Sequence, residues 1–553
     1  MKRLIVAAAV TIFAAGIAQA GEITMKIEKQ YLNFPISHSV ESKAMKITGK
    51  GIDEWPFSIR IADQTTDYWI FRDVTPYKGK TITISYEGDP AGLKEIYQGD
   101  QIHDQDKIYK EKTRPQVTYT QRVGWNNDPN GMVYFDGEYH LYYQHNPYDR
   151  DWNNMTWGHA VSRDLIHWHQ LPDAISPDRL GTIFSGSAVI DYENTAGFNK
   201  KGEPALIAIY TQDGKNAAGE GRQVQSIAYS NDKGRTFTKY EGNPVIDSYD
   251  KWQNVNTRDP KVFRYAPNDN WVMILNERDG HSIYTSGDLK EWKFESHFEN
   301  MWECPELFEL AIDGDPNNTK WVTYGASGTY MIGEFDGRVF TPQQGKFYYQ
   351  KGSVYASQTF NDSPDGRRIQ MGWSHINHPD LRVQGMMTIP AELTLRTTPN
   401  GVRLFSEPVK EFDMLKKDIK TYTGLTGDEA NKILSRYPDE PLYIKFDCTR
   451  AEATWGGFNL YGQNIISYDM NQNTVNGIPF SPGDFASTRL TGEIIIDRTA
   501  VQVFLDGGAL SLTLPRNLAQ EKKESGLEFF GIGVKMNSME VSPLESIWKD
   551  EVK

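Results

Sequence analysis

A short pattern recurs along the middle of this chain, and it constrains the fold more than any other feature. Ser162-Arg163-Asp164-Leu165-Ile166-His167-Trp168 returns as Ser286-Gly287-Asp288-Leu289-Lys290-Glu291-Trp292. A looser copy is Ser230-Asn231-Asp232-Lys233-Gly234-Arg235-Thr236-Phe237, and Phe335-Asp336-Gly337-Arg338-Val339-Phe340 matches its end. Each copy follows a strand-like run and closes on an aromatic. A β-propeller produces a polar turn plus an aromatic at blade-sized intervals, because every blade repeats one antiparallel unit. Between about 115 and 405, Gly, Asn, Asp and Pro cut the chain into short strand-like runs with no convincing helix. The pattern predicts a propeller over 115–405.

The flanks are also β. Apolar and polar residues alternate over 57–61 and 81–86, which predicts half-buried strands in a small N-terminal β-sandwich-like domain over 21–112. The polar stretch 97–114 reads as a linker. Residues 409–417 read as a helical connector. Beyond it, 441–446, 457–460, 492–497 and 500–505 read as strands of a C-terminal β-sandwich within 406–553. That sandwich lacks an obvious aromatic platform, so it reads as a packing partner for the propeller. The fold class is all-β.

Composition removes several classes of function. The formal net charge is −14 and the pI about 5.4, which argues against nucleic acid or an anionic membrane as partner. Lys2 and Arg3, an apolar run over 4–17 and Ala18-Gln19-Ala20 read as a secretory signal over 1–20. The run is too short for a membrane span. No Cys follows it to carry a lipid, so the expected location is periplasmic or extracellular. The two cysteines, Cys304 and Cys448, read as buried thiols. No Cys/His cluster has metal spacing and no Gly-rich loop suits a phosphate, so neither metal nor cofactor is expected.

Propeller sites lie on the axis, where the first strands of the blades meet, so acidic residues at blade starts are the candidates. Three stand out. Asp128 lies in Gly124-Trp125-Asn126-Asn127-Asp128-Pro129-Asn130-Gly131, read as a turn ahead of a hairpin closed by Asp136-Gly137. Asp259 lies in Thr257-Arg258-Asp259-Pro260, and Glu303 in Trp302-Glu303-Cys304-Pro305. Glycoside hydrolysis needs two carboxyl groups in different protonation states. Glu303, between Trp302 and Cys304, has the neighbours of an acid kept neutral. Asp128, among amide donors, has those of an ionised nucleophile. Asp259 beside Arg258 should stay charged.

At these residues the chain resembles glycoside hydrolase family 32, the invertase, inulinase and levanase family. Trp125 to Gly131 and Tyr143 to Pro147 carry its leading motifs. Trp157-Gly158-His159-Ala160, Phe184-Ser185-Gly186-Ser187, Arg258-Asp259-Pro260, Glu303-Cys304-Pro305 and Tyr355-Ala356-Ser357-Gln358-Thr359-Phe360 follow in family order. The resemblance implies a five-bladed catalytic propeller followed by a β-sandwich. It also implies a retaining cleavage of β-fructofuranosidic bonds in fructans or sucrose, without metal or cofactor. Asp128 would be the nucleophile, Glu303 the acid and then base, and Asp259 the stabiliser of the transition state. Trp125, Asn127, Gln144, Trp152, Trp157, Phe184, Ser185, Arg258 and Trp373 would line the fructose pocket. Retention implies carboxyl groups of Asp128 and Glu303 about 5 Å apart. Asn126 departs from the apolar residue common in the family. The rival readings are a fructosyltransferase of the same fold, a sialidase suggested by the turn at 230–237, and a non-catalytic fructan-binding protein.

Overall fold

The computed structural model describes residues 21–549 except 201, 216–220, 379, 438–440, 451–454, 470, 473, 480–488, 523–524 and 532–533. The signal-like segment 1–20 lies outside the described residues. The chain divides into two compact units, Met1–His103 and Asp104–Lys553. The first unit holds a five-stranded and a three-stranded antiparallel sheet. Alternation sets its burial: in Thr81–Tyr86, Ile82, Ile84 and Tyr86 are buried while the residues between them face outward.

The second unit carries five blades, each a four-stranded antiparallel group. Their inner strands are Gly124–Phe135, Thr182–Asp191, Thr257–Tyr265, Glu306–Ile312 and Val354–Thr359. The recurring turns fall at one place in four blades, between the third and outer strands. The carboxylates of Asp164, Asp288 and Asp336 each accept two successive backbone N–H groups at 2.7–2.9 Å. Trp168 and Trp292 donate their indole N–H to the carbonyls of Leu165 and Leu289. The pattern in the sequence is therefore a side-chain-capped turn, repeated because every blade must reverse there.

Asn127 to Gly131 do not form the expected turn. They lie inside the inner strand Gly124–Phe135, whose register against Glu138–Asn146 breaks twice. Each break inserts one extra residue, a β-bulge, and bulges accommodate Pro and Gly in a strand. Gly131 sits at φ +53, where a Cβ would come within 2.6 Å of the Tyr142 ring. The hairpin turn at Asp136-Gly137 has the expected positive φ at both residues.

The ring closes between the fifth and first blades. Val383–Gln384 pairs in parallel with Gly124-Trp125, and Asn361 exchanges backbone hydrogen bonds with Met132 and Tyr134. On the axis, Lys261 and Glu306 form a buried ion pair of 3.0 Å. Thr359 of the fifth blade completes it, giving its N–H and hydroxyl to Glu306 and its carbonyl to Lys261.

The C-terminal part packs a seven-stranded sheet on a five-stranded one, with Phe446, Phe458, Ile494, Val503 and Met539 in the core between them. Propeller and sandwich share backbone pairing. Gln350–Gly352 adds in parallel to Leu510–Pro515, and buried Asp497 accepts the N–H groups of Gln116 and Val117 at 2.8–3.0 Å. The connector is a 3-10 helix, Lys410–Leu415. The helix Gly427–Leu434 was not anticipated, although Thr426 and Glu429 form a capping box at its start. Cys304 and Cys448 are buried free thiols. Among the described residues no helix is long and apolar enough to cross a membrane.

Candidate active site

All five blades bring a polar group to one end of the axis. The first gives Asp128, the second Ser185, the third Arg258 and Asp259, the fourth Glu303, and the fifth Tyr355. A shared backbone device aims them. In blades one, two, three and five the inner strand holds one extra residue against its neighbour: Asn126 to Pro129 opposes His145 to Tyr143, Ile183 to Gly186 opposes Gln212 to Tyr210, Arg258 to Lys261 opposes Asn276 to Ile274, and Tyr355 to Gln358 opposes Trp373 to Met371. A bulge turns a side chain out of the pleat alternation and toward the axis. Asp259 and Ala356 within these bulges, and Glu303 and Cys304 before the fourth inner strand, have positive φ. Strained backbone of this kind persists where the surroundings fix it, and it clusters at functional sites.

The three carboxylates form one network. Asp128 accepts the Ser185 hydroxyl at 2.6 Å and the Asn127 amide at 3.1 Å. Cys304 stands between the aspartates. Its Sγ is 3.5 Å from Asp128 Oδ2 and 3.6 Å from Asp259 Oδ2, and its N–H donates to Asp259 at 3.1 Å. Burial and the nearby carboxylates push the Cys304 thiol up, so it remains a donor. Glu303 accepts Arg258 Nη2 on one oxygen and the Tyr355 hydroxyl on the other, while its N–H donates to the Asn276 side-chain Oδ1 at 2.9 Å.

The electrostatics differ from the reading of single neighbours. Burial raises the Asp128 carboxyl, against donors from Ser185 and Asn127 that lower it. Burial likewise pushes Asp259 up to about 7, outweighing Arg258. Asp259 was expected to stay charged beside Arg258, but that guanidinium is turned to Glu303 and leaves its Nε 3.9 Å from Asp259. Glu303 was expected among apolar groups. Trp302 instead lies exposed beneath Arg258, 5.5 Å from the guanidinium to the ring centre, and Cys304 faces the aspartates.

Around this network stand the expected wall residues. Trp125 donates to Asn127 at 2.8 Å and packs on Trp373 and His375. Trp152 is half exposed, edge-on to Phe184 at 5.9 Å. The Gln144 amide nitrogen and the Trp373 indole nitrogen are buried without a hydrogen-bond partner, as in a pocket that awaits a polar ligand. Trp157 is the exception. It is fully buried and donates to the Phe184 carbonyl at 3.0 Å, so it backs the wall and presents no surface to a ligand. In the sequence Tyr355 and Cys304 stand within motifs but without a site role, and Asn276 and Thr211 are not singled out; the Thr211 hydroxyl accepts the Asp259 N–H at 2.9 Å. Tyr355 was within reach, because it opens the bulge of the fifth inner strand as Arg258 opens that of the third.

The sequence profile of the glycosyl hydrolases family 32 N-terminal domain matches residues 119–408, the span of all five blades. The chain belongs to glycoside hydrolase family 32. A levanase of Bacillus subtilis (strain 168) is 39% identical, over 80% of this chain and 72% of its own length. An extracellular exo-inulinase of Aspergillus niger is 32% identical, over 73% of this chain and 89% of its own. Among solved structures, an exo-inulinase from Aspergillus awamori superimposes with a TM-score of 0.68 at 27% identity, covering 80% of this chain and all of that one. In this family 32 chain the ring of bulges therefore surrounds the carboxylates of a glycoside hydrolase.

Proposed function

We propose that this family 32 chain hydrolyses β-fructofuranosidic bonds of fructans and sucrose with retention, through a fructosyl-enzyme ester. The observation that carries the reading is the convergence of Asp128, Asp259 and Glu303 from three blades around one thiol, beside buried donors with no protein partner. Asp128 attacks the anomeric carbon as the bond to the leaving oxygen breaks, and protonated Glu303 gives that oxygen its proton. Water then attacks the ester, Glu303 takes a proton from it, and Asp128 leaves as the carboxylate. Asp259 and Arg258 hold fructose hydroxyls while positive charge develops on the ring. Ser185 and Asn127 keep Asp128 available as a carboxylate against its burial. Trp125, Trp152, Phe184 and Trp373 form the wall, and Gln144 supplies a further donor. Two features support secretion: the signal-like segment 1–20, and the extracellular naming of the inulinase relative.

The test is product analysis with the mature chain from Gly21, incubated separately with sucrose, inulin and levan. Release of fructose supports the reading, and the preferred polymer identifies the linkage. Fructose alone from the first minutes means an exo-acting pocket, whereas a ladder of oligosaccharides means an open cleft. Growth of longer oligosaccharides at high sucrose would make transfer the main reaction. Asp128→Asn should lose turnover and keep sugar binding. No release from any of the three substrates would overturn the assignment in favour of a binding protein.

A further inference from the structure

The inner strands lead to a second cavity at their other ends. It has a volume of about 450 Å³ and is bordered by Ile190, Phe263, Phe308 and Asp362 among others. On three blades these residues lie four or more positions beyond Ser185, Asp259 and Glu303, about 13 Å along a strand at its usual rise. The buried Lys261–Glu306 pair, held by Thr359, lies on the inner strands between the two ends. The cavity is thus not an extension of the catalytic pocket.

Its chemistry selects a class of ligand. Arg368 lies over the Phe308 ring at 5.0 Å, anchored by Nη1 to the Thr359 hydroxyl and Phe360 carbonyl at 3.4 and 3.3 Å. Arg264 spans two blades to pair with Glu193 through Nη2, while its Nη1 is buried with no partner. Of the lining carboxylates, Asp191 is occupied by Thr195 and Ala196, and Glu309 by Thr319. Asp362, at φ +58, keeps an exposed face, while its carboxyl meets the Ile190 N–H and faces Arg368. Trp321, packed on Phe263 at 5.8 Å, adds an aromatic wall. Four carboxylates against two guanidiniums disfavour an anion. Aromatic walls disfavour a bare hydrated cation. A volume within the range of small-molecule sites, with flat apolar surface and a few fixed donors and acceptors, suits a neutral polyol ring.

We propose that this cavity is a second saccharide site, which holds a stretch of neutral fructan remote from the bond being cleaved. The proposal rests on the fructan reading above. Asp362 and Arg368 engage hydroxyl pairs, and Trp321 and Phe263 take the ring faces. The bound chain would raise the local concentration of polymer ends without touching the reaction.

The test counts sites in the full chain carrying Asp128→Asn, which cannot turn over. Titration calorimetry with nystose, and retardation in native gels containing levan or inulin, should report two sites. Adding Trp321→Ala or Asp362→Ala should leave one. Because the Asp362 carboxyl also accepts the Ile190 N–H, melting curves of both added variants are recorded, and loss of one site with the melting temperature kept separates a lost site from a lost fold. In the otherwise wild-type chain, Asp362→Ala should leave sucrose hydrolysis unchanged and raise KM for polymer several-fold. A single site in the Asp128→Asn chain, or an unchanged count in the added variants, overturns the proposal. Failure of the wild-type chain to release fructose strikes the fructan reading instead, so the two failures are distinct.

Discussion

Asp259→Asn should stabilise the free protein while removing its activity. Burial raises the Asp259 carboxyl from 3.8 to about 7. Below pH 4 the group is protonated in both folded and unfolded chains and costs nothing. Between about pH 4 and 7 the folded chain keeps a proton that the unfolded chain has lost. Stability therefore falls as pH rises, at up to about 1.4 kcal/mol per pH unit. At pH 8 the folded state bears a buried carboxylate at a cost of about 4 kcal/mol, from roughly three units at that rate. Asparagine keeps the shape and the acceptor for the Cys304 N–H and cannot ionise. Urea unfolding of wild type and variant at pH 5 and pH 8 measures the effect. The variant should gain about 1.5 kcal/mol at pH 5 and about 4 kcal/mol at pH 8, and lose the pH slope. Equal stability at pH 8, or a slope that survives in Asp259→Asn, would refute the argument that burial strains this carboxylate.

Three further outcomes follow from single contacts. Glu306→Ala leaves the Lys261 ammonium buried without its partner and should cost about 3–5 kcal/mol in denaturant unfolding, whereas Lys261→Met with Glu306→Leu should recover most of the loss. Ser185→Ala removes the 2.6 Å donor to Asp128; the acid limb of kcat/KM should move to higher pH, and the rate at pH 6 should fall about tenfold, in line with one charge-assisted hydrogen bond. Gly131→Ala places a Cβ against the Tyr142 and Trp157 rings at 2.6 and 2.9 Å and should lower stability by about 1–3 kcal/mol, read as a fall in melting temperature.

The sequence revealed more of the frame than of the electrostatics, for physical reasons. Turns such as Ser162 to Trp168 are local, since their bonds join residues two or three apart. They could be read from one stretch of chain, and so could the Asp136-Gly137 hairpin. The stretch from Asn127 to Gly131 has turn composition too, but its conformation is set by the strand Glu138–Asn146, which absorbs it as bulges. Arg258 and Asp259 are adjacent in the chain, yet the guanidinium's closest partner is Glu303, 45 positions on. Burial of Asp259 likewise depends on Thr211 and Cys304 from other blades. Adjacency in sequence could not weigh those partners. Trp157 shows the same limit, since nothing in its motif tells a wall from what stands behind a wall.

No two of Asp128, Ser185, Asp259, Glu303 and Tyr355 come from one blade. A propeller missing any blade would therefore not have a weaker site. It would have none, because each remaining group would face an incomplete partner. The last contributor, Tyr355, lies on the blade whose loops at 361 and 383–384 dock onto the first inner strand. Under the proposed assignment of these residues, catalysis is thus a readout of ring closure. During refolding, turnover should appear with the last blade, after the bulk of β-structure, and should rise in a single step.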